Sequence, residues 1–164
     1  MKLFLSRHAE SSFNAPSDRE RPITGNGIEQ TKRLIGNNFP ALKEVEYIWC
    51  SDLRRAKETA SLYREKIGRP DAIGSFEKQK QLLSEKTFLS PDGDIKKVFE
   101  SLSSLSDDAV LLIVSHQPLI GELVSELCEG NVYQAHPFAP SEVVVVECDV
   151  AESGMGKKVA NYLP

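Results

Sequence analysis

The sequence is poor in cysteine: Cys50, Cys128 and Cys148 are scattered through 164 residues with no Cys-x-x-Cys pair. An odd number at such spacing supplies neither a disulfide framework nor a zinc site, and the three read as small buried thiols in a reducing compartment. No apolar run approaches the ~20 residues of a membrane span. The opening Met1-Lys2-Leu3-Phe4-Leu5 is broken at once by Ser6-Arg7-His8, too soon for a signal-peptide core. Positive charge is not in excess: Lys+Arg is 20, Asp+Glu is 24, and the net charge is −4. That argues against a nonspecific nucleic-acid binder and a polybasic membrane-surface protein. The sequence carries no repeat, no low-complexity tract, no GxxxxGK[ST] loop, no HExxH and no GxSxG elbow. Gly25-Asn26-Gly27 lacks the third glycine of a dinucleotide fingerprint and reads as a turn. What remains is one cytoplasmic domain over residues 1–164, long enough to bury a core, with 40% hydrophobic and 27% charged residues.

What is present alternates strand and helix. Lys2 to Ser6 reads as a strand, followed by a polar loop from Glu10 to Arg21. Thr24 can cap a helix that Ile28, Thr31, Leu34 and Ile35 mark and Asn37-Asn38-Phe39-Pro40 ends. Val45 to Cys50 is rich in strand formers, and Ser51-Asp52 opens a helix reaching Ile67. Residues 71–94 read as irregular, and Asp94 to Leu105 as a short amphipathic helix. Ala109 to Val114 has the continuous apolar character of a strand buried on both faces. Pro118 opens a helix with Gly130 just past its end, Ser141 to Glu147 is a β-branched strand, and the tail from Val150 reads as frayed or weakly stranded. This order predicts an α/β fold, a three-layer αβα sandwich around a mostly parallel sheet. Ligands of such sheets bind beyond the carboxyl ends of the strands.

Three strand ends carry Ser6-Arg7-His8, Ser51-Asp52-Leu53-Arg54-Arg55 and Ser115-His116-Gln117-Pro118. If the strands are neighbours, two of the three histidines and several arginines converge at one sheet edge. Guanidinium groups grip phosphate oxygens in a fixed fork, a helix N-terminus adds N–H donors, and neutral imidazole is a nucleophile toward phosphorus. Arginines beside the imidazole disfavour its protonated form. The pattern points to phosphoryl transfer. His136, between Ala135 and Pro137, reads as an ordinary loop histidine.

These residues resemble the motifs of the histidine phosphatase (phosphoglycerate-mutase-like) superfamily. Arg7-His8-Ala9-Glu10-Ser11-Ser12-Phe13-Asn14 is similar to its opening Arg-His-Gly-Glu-Thr-x-x-Asn. Ile23-Thr24-Gly25-Asn26-Gly27-Ile28-Glu29-Gln30 resembles Leu-Thr-x-x-Gly-x-x-Gln, Ser51 to Ala60 resembles Ser-Asp-Leu-x-Arg-Ala-x-x-Thr-Ala, and Val114-Ser115-His116 completes the set. Within the superfamily, Arg21-Pro22-Ile23-Thr24 and the stretch Ser115 to Gly121 with Glu126-Leu127-Cys128 look most like SixA-type phosphohistidine phosphatases. The resemblance implies a cytoplasmic, metal-independent and cofactor-free monomer. It would remove phosphate from a phosphohistidine on the phosphotransfer (HPt) domain of a hybrid sensor kinase, damping a phosphorelay in two-component signalling. By position it implies His8 as nucleophile, Arg7 and Arg55 as phosphate clamps, and His116 as a second pocket histidine. It offers Asn14 and Arg21 as further substrate contacts.

Two positions depart from the pattern. Ala9 stands where the family has Gly, which matters if the backbone there needs a positive φ. Leu83-Ser84-Glu85 only loosely matches the Leu-x-Glu segment that carries the family's general acid, so Glu85 is a candidate acid or a surface carboxylate. Protonating an alkoxide leaving group is worth ~10²–10⁴-fold, whereas a phosphohistidine leaves as imidazole and needs less help. A weak acid therefore favours P–N over P–O substrates. The alternatives are a broad small-molecule phosphomonoesterase on the same pocket, and a non-catalytic module that captures phosphorylated partners. A mutase is disfavoured because a short chain has little with which to close over an intermediate.

Overall fold

The computed structural model describes residues 1–68 and 83–164. Six strands form one sheet: β1 Lys2–Arg7, β2 Tyr47–Cys50, β3 Leu83–Glu85, β4 Val110–Ser115, β5 Val143–Glu147 and β6 Lys157–Tyr162. Their order is β3-β2-β4-β1-β5-β6. The first four are parallel to one another, and β5 runs antiparallel to both β1 and β6. Among the described residues the helices are α1 Gly25–Asn37, α2 Phe39–Leu42, α3 Arg54–Ile67, α4 Ile95–Leu102 and α5 Leu119–Glu129.

Alternation along β1 and β4 explains the layers. Leu3, Leu5, Leu111 and Ile113 point to one face, where Val98 and Leu102 of α4 and Leu123 and Leu127 of α5 cover them. Phe4, Leu112 and Val114 point to the other face, against Leu34 and Ile35 of α1 and Ala56, Ala60 and Tyr63 of α3. With helices on both faces the middles of the central strands, Leu3 to Leu5 and Val110 to Val114, are continuously apolar, and all but the first residue of β4 are buried. The expected three-layer αβα sandwich is present.

Local chemistry sets the helix ends. The Thr24 side chain accepts a hydrogen bond from Gly27 N and caps α1. Gly25-Asn26-Gly27 is thus the first helical turn rather than the free turn expected from its glycines. Asp94 caps α4 by accepting from Lys96 N, and Gly130 closes α5 in the left-handed region at φ 71°.

Other differences arise where tertiary pairing decides. The tail, expected to be frayed or weakly stranded, contains the six-residue β6, five of whose residues pair with β5 around a register shift at Val159. Its exposed Lys157-Lys158 start hides this edge strand from any hydrophobic pattern. Within the segment read as irregular, Leu83–Glu85 is an edge strand on β2, and Thr87–Leu89 forms a 3₁₀ turn. Residues 71–82 of that segment lie outside the described residues.

Candidate active site

The site grows from the register of two parallel strands. Arg7 of β1 is opposite Ser115 of β4, so the next residues, His8 and His116, leave the sheet side by side. His8 N donates to Ser115 O at 2.9 Å. The two rings lie 4.9 Å apart, centroid to centroid, tilted by 53°. Ser51 N donates to Val114 O at 3.1 Å, which brings the end of β2, and with it the start of α3, to the same edge. Arg55 lies in the first turn of α3. The three strand ends therefore converge, as the element order predicts.

His8 is buried, and its Nδ1 is 2.7 Å from Ala9 O. A carbonyl can only accept, so Nδ1 carries the hydrogen and the neutral ring leaves a lone pair on Nε2. Burial, above all, drives its pKa down to about 4, and the Arg55, Arg7 and Arg21 charges push the same way, while the Ala9 hydrogen bond opposes them. The arginines named from the sequence act in the expected direction, but loss of water is the larger effect. Ala9 N donates to Thr59 Oγ1 at 3.0 Å. Among the described residues Ser141 is the one non-glycine with positive φ, at 65°, so Ala9 in place of the family's Gly is not strained.

Two guanidinium groups flank the histidines. Arg7 Nη1 donates to Phe138 O at 2.7 Å. Arg55 Nη1 donates to Asp18 O at 2.7 Å and Nη2 to Asp18 Oδ2 at 3.1 Å. Arg7 Nε, Arg55 Nε and both ring nitrogens of His116 are buried without a partner among the described residues. Buried polar atoms are rarely left so, and a concentration of them beside a neutral imidazole suits a ligand rich in acceptor oxygens. Burial, His8 and Arg55 lower the pKa of His116 to about 3, partly offset by Asp18 and Asp52.

The other sequence candidates are dispersed. Arg21 lines the approach: Nε donates to Ser12 O at 2.9 Å, Nη1 to Asp18 Oδ1 at 3.0 Å, and the guanidinium carbon stands 3.9 Å from the centre of the exposed Phe13 ring. Asn14 is exposed, and its backbone N–H, rather than its amide, bonds to Ser12 Oγ. Glu85, at the end of β3, is exposed and sits 3.6 Å from Lys57 Nζ. The structure brings together His8, Arg7, Arg55 and His116, and does not bring Glu85 into contact with them.

Sequence reasoning missed Asp18, which sits in a loop that reads as a polar connection; its i, i+3 spacing to Arg21 is the signal that could have found it. It also missed the supports of Arg7. Arg7 N donates to Glu142 O, and the buried Glu142 carboxylate accepts from Ala139 N at 2.7 Å. His136 packs edge-on against Phe138, with Nε2 3.8 Å from Glu142 Oε1, so this loop histidine belongs to the scaffold under Arg7.

The family model of the histidine phosphatase superfamily (branch 1) matches residues 3–82. Phosphohistidine phosphatase SixA of Escherichia coli is 33% identical over 159 residues, spanning 95% of this chain and 89% of that protein. A SixA homolog of Haemophilus influenzae is 30% identical over 134 residues, or 77% of each chain. The solved structure of the protein histidine phosphatase SixA complexed with tungstate superimposes with a TM-score of 0.82 at 29% identity, over 100% of this chain and 97% of the other.

Proposed function

The chain belongs to the histidine phosphatase superfamily, and we propose that it hydrolyses protein phosphohistidine, taking phosphate from the HPt domain of a hybrid sensor kinase and so damping a phosphorelay. The observation that carries this reading is the set of buried polar atoms without a partner among the described residues, the donors Arg7 Nε and Arg55 Nε and the two nitrogens of a neutral His116, one of which donates, around a neutral His8. The likeness to a phosphohistidine phosphatase that binds tungstate, a tetrahedral oxyanion, supports it.

In this mechanism the phosphoryl group enters between Arg7 and Arg55. His8 Nε2 attacks phosphorus in line, a new P–N bond forms, and the substrate's P–N bond breaks. The departing imidazole keeps the proton on its other nitrogen and leaves neutral. The guanidinium groups and His116 hold the equatorial oxygens where charge builds up. Water then cleaves phospho-His8. Two fixed cations supply the charge stabilisation, so no metal is assigned, and chelation by EDTA is expected to leave the rate unchanged. Glu85, exposed and paired with Lys57, is not required for an imidazole leaving group.

A ³²P-release assay on a panel of phosphorylated HPt domains tests the reading. Release that passes through an acid-labile phosphoenzyme supports it. Faster turnover of p-nitrophenyl phosphate than of every phosphorylated domain would replace it with the small-molecule phosphomonoesterase. Stable capture without release would replace it with the phospho-binding module.

A further inference from the structure

Beside Arg55 stands a carboxylate that the mechanism leaves idle. Asp18, in the 3₁₀ turn Asp18–Glu20, uses its backbone oxygen and Oδ2 to hold both Nη atoms of Arg55, while Oδ1 accepts from Arg21 Nη1. Its side chain is still 63% exposed, so the carboxylate faces the solvent at the mouth of the pocket rather than its floor. The Arg21 hydrogen bond, with Arg55 assisting against burial, holds its pKa below the usual carboxylate range. Its negative charge is felt at the buried His116 ring. A carboxylate kept ionised between two arginines cannot serve as a proton donor. It is a fixed anion at the entrance to a site built for an anion, where it opposes every phosphate alike.

We propose that Asp18 is a specificity-determining residue, whose fixed negative charge at the pocket mouth favours phosphoryl donors whose leaving ring is a cation until the bond to phosphorus breaks. The inference rests on the phosphohistidine reading. A P–N bond to imidazole breaks readily when the ring's second nitrogen is protonated: the electron pair of the bond stays with the ring, which departs neutral. Before cleavage that ring is a cation, and a nearby carboxylate stabilises it. An alkyl or aryl phosphate offers no such charge and meets only the repulsion between Asp18 and its phosphate oxygens. The same residue orients Arg55 so that its unpartnered Nε is left for the substrate.

The test compares N-phosphoimidazole with p-nitrophenyl phosphate, two small donors that need no protein docking surface. Asp18→Asn keeps an oxygen for Arg55 and leaves the backbone carbonyl bond in place, but removes the charge. The ratio of kcat/KM for the P–N donor over the P–O donor is expected to fall about fivefold, the size of one partly exposed charge pair. A ratio equal to that of the parent chain overturns the inference, including the case where both rates drop together, which would mark Asp18 as a prop for Arg55 alone. Hydrolysis of the ester but not of N-phosphoimidazole by the parent chain would overturn the phosphohistidine reading as well.

Discussion

The imidazole rings of His8 and His116 stand 4.9 Å apart, held there by the pairing of Arg7 with Ser115 on adjacent parallel strands. Neither ring can gain a proton cheaply. Both are buried, and the positive form of His8 disfavours that of His116. A pair of histidines usually titrating near neutrality is thereby kept neutral across the physiological range.

The pH–rate profile follows. Attack needs His8 uncharged, and its pKa is pushed down to about 4. With p-nitrophenyl phosphate, and after allowing for the substrate's own ionisation, kcat/KM should be level from neutrality downward and fall only as the pH drops through about 4. An enzyme limb at 6.5 would show that the nucleophile is solvated.

Stability carries the complementary signature. The folded-state pKa values of His8 and His116, about 4 and about 3, lie below the unfolded value near 6.5, so the unfolded chain binds more protons between these limits. The histidine contribution is fully present above pH 6.5 and is lost as the pH falls to about 4 for His8 and about 3 for His116. Urea unfolding at pH 7 and pH 4.5 should show the drop, and His116→Asn should make it shallower. An identical pH dependence in that variant would contradict the burial of a neutral His116.

The clamps are matters of shape as well as charge. Arg55→Lys keeps the positive charge but loses the fork that holds Asp18 and the buried Nε that has no partner. A fall in kcat of about 10²–10³-fold is expected, comparable to loss of one preorganised oxyanion donor. His8→Ala should lose at least about a thousandfold and give no acid-labile phosphoenzyme on rapid acid quench. Retention of the phosphoenzyme would move the nucleophile elsewhere.

Much of this centre was legible before any fold was known, because it lies where hydrophobic patterns end. Leu3 to Leu5 and Leu111 to Val114 mark their strands by composition, and Arg7-His8 and Ser115-His116 follow directly. Asp18 was not legible in that way. It reaches Arg55 across 37 positions from a polar loop, and such a contact has no local period. β6 was legible only as one of two options, a frayed tail or a weak strand, for a similar cause: exposed edge residues need no apolar alternation, and only its partner β5 defines it. The Leu-x-Glu likeness pointed at Glu85, but two matching letters on an edge strand do not fix which way a carboxylate faces.

Two glycines of α1 separate packing from propensity. A Cβ at Gly27 would lie 2.6 Å from Glu10 O and 3.3 Å from Ala9 Cβ, so the absence of a side chain is what lets the helix lie against the loop that follows His8. Backbone cannot swing aside as a long side chain can, and the clash outweighs the ~1 kcal/mol that alanine gains over glycine in a helix. Gly27→Ala is expected to destabilise the chain by about 1–3 kcal/mol and to lower kcat with it, since Ala9 and Glu10 carry the strain to the nucleophile. At Gly36, exposed in the last turn of the same helix, a Cβ would meet nothing within 4 Å. Gly36→Ala should therefore stabilise by up to ~1 kcal/mol and leave turnover as it is. Denaturant melts and turnover of both variants, measured side by side, check the contrast. Equal effects at the two positions would mean that α1 does not set the position of the His8 loop.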